Sequence, residues 1–127
     1  MQTMKHLACL MLGLVCAAPA WGDIIVPGAD GSDGTLTCGL LQGNTNYPCG
    51  VPCAAGGTIT IDLSAARDLA WNVPSPVQGK GVYDYQKWAV VYKYSCVDIP
   101  ANVTIKFKNH PSRAPVVWLV SGQMNVL

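Results

Sequence analysis

The one histidine outside the first 22 residues lies in His110-Pro111-Ser112-Arg113, where an imidazole, a hydroxyl and a guanidinium fall within four positions. A serine and a histidine can perform acyl transfer only when they are in hydrogen-bond contact, with an orienting acid and oxyanion donors beside them. Ser112 stands in no G-x-S-x-G elbow, and Pro111 stiffens the link back to His110. An arginine base of the kind found in polysaccharide lyases would need neighbouring acids to hold a cation, and the closest upstream acid is Asp98. These residue types therefore point to a loop that bonds its own carbonyls. No catalytic residue is assigned, and enzyme activity is not the expected role.

Aromatic residues offer a second kind of chemistry. Trp88, Tyr92 and Tyr94 stand at alternate positions, so a strand would align them with Val90 on one face. Sugar rings stack on such side chains, which makes these three the candidate ligand-binding residues and polysaccharide the candidate partner. The competing explanation is a buried strand face, because a chain with a single Phe must fill its interior with other large residues. Trp71, Tyr83 and Tyr85 lie nearby in sequence. The stretch Asp30-Gly31-Ser32-Asp33-Gly34 has acids but lacks the spacing of calcium loops, and Asp-Gly turns explain it. No metal and no cofactor is expected. Asn102-Val103-Thr104 matches the N-glycosylation pattern, which matters only in a eukaryotic secretory pathway.

Residues 1–22 read as a secretory signal peptide. Lys5 precedes an apolar run from Leu7 to Val15, and Ala18-Pro19-Ala20 offers a small-residue cleavage pattern. Cys16 follows Val15 rather than a small residue, which argues against lipid attachment there. The expected location is therefore secreted or extracytoplasmic, on the cell surface, with no transmembrane segment after cleavage. Residues 23–127 carry seven acids, all Asp, and seven basic side chains. That balance leaves no overall electrostatic footprint for nucleic acid or an anionic membrane. The four remaining cysteines are Cys38, Cys49, Cys53 and Cys96. In an exported chain they read as two disulfides rather than a zinc site, with three pairings open. Their spacing suggests Cys49 with Cys53 across Pro52, leaving Cys38 for Cys96.

The elements that would position these residues read as strands. Thr58–Leu63 alternates, with Ile59, Ile61 and Leu63 on one side. Residues 83–99 read as one strand carrying the aromatic face, and Val103–Lys108 alternates again. Val116–Val120 is an unbroken apolar run, as expected of a strand covered on both faces. Brief strands are also expected at 23–26 and 35–38, with Ser64 capping a helical turn and a loop over 72–81. The cysteine-rich segment 38–57 reads as a stapled insertion between two strands. The fold class is thus all-β with short strands in one domain, 23–127. Two architectures suit it: the N-terminal cap and first coils of a β-solenoid (a parallel β-helix), or a small β-sandwich. The alternation still running at Met124 and Val126 suggests that the domain is C-terminally incomplete.

The stretch GKGVYDYQKWAVVYKYSCVDIPANVTIKFKNHPSRAPVVWLVSG (79–122) resembles the N-terminal region of large exported bacterial glycine-rich surface proteins. That resemblance implies a parallel β-helix and leaves function open. The cysteine-rich loop at 38–53 and the missing glycine-rich array depart from the pattern. The expected function is an exported structural or adhesive cell-surface module. The alternatives are a carbohydrate-binding module and, behind it, a fragment of a polysaccharide-active β-helix enzyme.

Overall fold

The computed structural model describes residues 26–127. The signal peptide and the strand expected at 23–26 lie wholly or largely outside them. Nine short strands form: β1 (Thr35–Thr37), β2 (Gly57–Asp62), β3 (Arg67–Asp68), β4 (Val82–Asp84), β5 (Ala89–Tyr94), β6 (Cys96–Ile99), β7 (Val103–Lys108), β8 (Val116–Val120) and β9 (Met124–Val126). No described helix is long and apolar enough to cross a membrane. Helical structure is limited to two 3₁₀ turns, Cys38–Gln42 and Leu63–Ala65. The second is capped by the Asp62 side chain accepting from the Ser64 N–H, rather than by Ser64.

The strand expected over 83–99 is broken twice, for identifiable reasons. Asp84 accepts the N–H groups of Gln86 and Lys87, closing a turn at 85–88 that folds β4 back against β5 as an antiparallel pair. At the other end, Ser95 gives both its N–H and its hydroxyl to the Gly34 carbonyl, at 2.7 and 3.0 Å. That double bond to a neighbouring turn forces a corner between β5 and β6.

Five of the six strand pairings are parallel: β1 with β6, β6 with β9, β2 with β7, β3 with β4, and β5 with β8. The exception is β4 with β5. Paired residues in parallel strands point to the same side, so the register stacks like on like. Leu36 lies over Val97 and Val97 over Met124; Ile61 lies over Phe107; Val90 lies over Val116. The separations repeat as well: Val90 to Val116 spans 26 residues, and Val97 to Met124 spans 27.

The inward residues build one apolar core from Leu36, Ile59, Ile61, Val90, Tyr92, Tyr94, Val97 and Ile99. The alternation read in Thr58–Leu63 holds, since Ile59, Ile61 and Leu63 are all buried. Val116–Val120 differs from expectation. β8 has a neighbour on one side only, and Val117 is exposed on its outer face.

Both disulfides form, Cys38–Cys53 and Cys49–Cys96, so the pairing read from spacing is exchanged. The physical reason lies in the layering. Between β6 and β7 the chain needs three residues, 100–102, whereas between β1 and β2, directly alongside, it runs through residues 38–56. Cys38–Cys53 ties the excursion near its base. Cys49, near the middle, reaches across to Cys96 on the neighbouring strand, and Gly50 N–H donates to Asp98 beside it at 2.8 Å. Four cysteines oxidised in this way fit a compartment outside the reducing cytoplasm.

Candidate functional site

The row Trp88, Tyr92 and Tyr94 does not form a surface. Trp88 precedes β5, in the turn, and there it leaves the alternation. Its side chain is 54% exposed, while Tyr92 and Tyr94 are 0% and 2% exposed and stack on each other at 5.6 Å within the core. Burial pushes both phenols well above the usual tyrosine value, with charge from Asp33 adding to the effect. The Tyr92 hydroxyl has no hydrogen-bond partner among the described residues.

Trp88 instead meets the His110 loop, bringing together two segments that the sequence leaves apart. Its indole N–H donates to the Ser112 carbonyl at 3.1 Å. Tyr83 stacks on the His110 ring at 4.1 Å, tying the same loop to β4. Trp88 and Arg113 are the two described residues other than glycine with positive φ, at 50° and 58°. Each such conformation costs on the order of 1–3 kcal/mol and persists only where surrounding structure enforces it. Here the enforcement is visible. Asp84 holds the 85–88 turn and also accepts the Trp71 N–H, whose hydrogen bond is the main reason its carboxyl is held below the usual range. On the opposite side the Arg113 N–H donates to the His110 carbonyl.

His110 and Ser112 are in contact, with Nδ1 and Oγ 2.7 Å apart. The Ser112 N–H also donates to Nδ1, and Oγ accepts from the Ala114 N–H. The dyad is thus woven into its own turn, which agrees with a loop-bracing role.

Around this rim lie Tyr85, 70% exposed, with Lys87 and Arg113, both exposed. Lys87 also walls a furrow of about 360 Å³ over the outer face of β5 and β8, with Trp71, Val91 and Leu119 among its other walls. Exposed Arg67 and Asp68 flank it on β3, where Asp68 pairs with Tyr83.

A separate polar cleft of about 320 Å³ is lined by Thr35, Thr60, Asp62, Gln78, Lys80 and Tyr94, among others. The Ser64 hydroxyl is the largest influence lowering the Asp62 carboxyl, and Lys108 at 3.3 Å adds to it. At the back of the cleft Asp33 is wholly buried. One oxygen accepts from Gly79 and Gly81 N–H, the other from the Ser75 hydroxyl and Lys93 N–H. Asp33 therefore joins three loops and a strand, a role that its Asp-Gly context did not disclose.

Lys93 is itself fully buried, and its ammonium has no hydrogen-bond partner among the described residues. Desolvation pushes its pKa down, against the opposing pull of Asp30 and Asp33. The chain matches no protein-family model, no curated protein and no solved structure.

Proposed function

We propose that this chain is an exported structural module: the terminal layers of a β-solenoid, braced by disulfides, on which further parallel strands are laid. The observation that carries this reading is the gradient of burial along the stacked apolar rows. Leu36 and Val97 are buried, while Met124, next in the same row, is 53% exposed; Ile61 is buried, while Phe107 beside it is exposed. β7, β8 and β9 all lie at sheet edges, so one end of the core is uncovered along with three unpaired backbone ladders. A strand edge of this kind is a template for pairing. The repeat of 26 and 27 residues supports parallel layers as the natural cover.

The purified chain should therefore associate through this face in sedimentation experiments, and Phe107→Lys combined with Met124→Lys should hold it monomeric. A wild-type chain that stays monomeric at high concentration, with β7–β9 amides as slow to exchange as those of β5, would sink the reading.

A further inference from the structure

We propose that the rim formed by the 85–88 turn and the His110–Arg113 loop binds a carboxylated polysaccharide, with Trp88 as stacking platform and Arg113 and Lys87 as the charge-bearing contacts. Three features converge on it. First, the indole is presented rather than hidden: it is more than half exposed, yet its N–H is pinned to Ser112, so its orientation is fixed before any ligand arrives. A ring held in this way loses little conformational freedom on binding, which favours affinity.

Second, both left-handed residues other than glycine sit here, one bearing the platform and the other a guanidinium. Strained conformations gather where geometry serves binding. Third, the local charge is positive although residues 23–127 balance. Arg67, Lys87 and Arg113 are exposed around the rim against one exposed acid, Asp68, because Asp84 is buried and spends its oxygens on three backbone N–H groups.

A planar guanidinium matches a carboxylate in a two-point contact, and the CH face of a pyranose matches an indole. A chain of uronic acids offers both at each sugar. The furrow walled by Lys87 and Trp71 gives an extended polymer somewhere to continue. This inference does not depend on the stacked-layer reading, since the rim is distant in role from the β7–β9 edge and its assay does not read association.

The test is retention of the exported chain on immobilised polygalacturonate, dextran sulfate and unmodified dextran. Binding is expected on polygalacturonate, with little on dextran. Arg113→Gly removes the charge while suiting the left-handed backbone, so the fold should survive. It should lower affinity about tenfold, the worth of one charge-assisted hydrogen bond. Trp88→Gly should do likewise. Lys80→Ala, a cation lining the separate cleft, should change nothing. Dextran binding equal to polygalacturonate, tighter binding to dextran sulfate than to polygalacturonate, or equal losses in all three variants would each overturn the proposal. So would full retention by Arg113→Gly with an unchanged melting temperature.

Discussion

Replacing Asp33 by Asn tests whether one buried carboxylate holds the loops over the sheet. Its two oxygens receive four donors: the N–H groups of Gly79, Gly81 and Lys93 and the Ser75 hydroxyl. Asparagine keeps one acceptor oxygen and puts an amide NH₂ in place of the other. If the NH₂ takes the position facing Ser75 and Lys93, the hydroxyl can reverse and accept, but the Lys93 N–H then faces another donor. The alternative orientation is worse, since it sets Gly79 and Gly81 N–H against the amide. One buried N–H left without a partner costs about 1–3 kcal/mol, and the surviving bonds lose their charge assistance. Together these give about 3–4 kcal/mol. Against a total stability on the order of 5–15 kcal/mol, that is a large share. The expected melting temperature falls by roughly 15–25 °C for a domain of this size. Urea unfolding with the disulfides intact measures it directly, with Ser75→Ala as a reference expected to cost about 1 kcal/mol, since it removes one donor. If Asp33→Asn lies within about 0.5 kcal/mol of wild type, or no lower than Ser75→Ala, the four-donor accounting is wrong.

Other perturbations probe separate parts of the molecule. Peptide mapping without reduction should recover Cys38–Cys53 and Cys49–Cys96; a Cys49–Cys53 peptide would refute the cross-layer staple. Removing Cys49–Cys96, which spans 47 residues, should cost about 4 kcal/mol, against about 3 kcal/mol for Cys38–Cys53, as judged by denaturant midpoints. Tyr92 and Tyr94 have phenol pKa values raised above 10.0, so they protect the fold below that pH, and the stabilisation is lost as pH climbs through their raised values. Two of the five tyrosines should therefore ionise only on alkaline unfolding when followed by near-ultraviolet absorbance, and five ionising together near pH 10 would contradict the burial. Lys93→Met should raise stability by about 1–2 kcal/mol, because the buried ammonium has no partner to lose; a loss of comparable size would show that the charge is needed.

What was legible in the sequence was the period of two. It located Gly57–Asp62 and Val103–Lys108 within a residue or so and put Ile59 and Ile61 inward. It could not show that residues 83–99 break into a hairpin and a corner. Those breaks are made by the Asp84 carboxylate and the Gly34 carbonyl, and the second is far away in the chain. The aromatic row failed for that reason: Trp88 belongs to the turn, where positive φ turns it out of the alternation that Tyr92 and Tyr94 obey. The disulfide pairing failed similarly, because local spacing favours Cys49 with Cys53 while the layering sets Cys49 opposite Cys96.

These failures share a cause, and it bears on how the chain is built. In a parallel layer each strand's partner lies dozens of residues away, 46 between Gly57 and Val103 and 61 between Thr35 and Cys96. Closing such loops before any ladder forms costs entropy that only later contacts repay. The features that sequence reading missed are all long-range ties: Asp33 to Lys93 across 60 residues, Ser95 to Gly34 across 61, Cys49 to Cys96 across 47. They converge where β5 turns into β6, the strand between β1 and β9. A fold whose layers would otherwise be held by backbone ladders and apolar stacking alone is thus locked at one corner. Lys93, buried beside that corner without a partner, marks where the packing left no room for a better solution. Relief by Lys93→Met and damage by Asp33→Asn should accordingly fail to add, because the two side chains share the Lys93 backbone and one electrostatic environment.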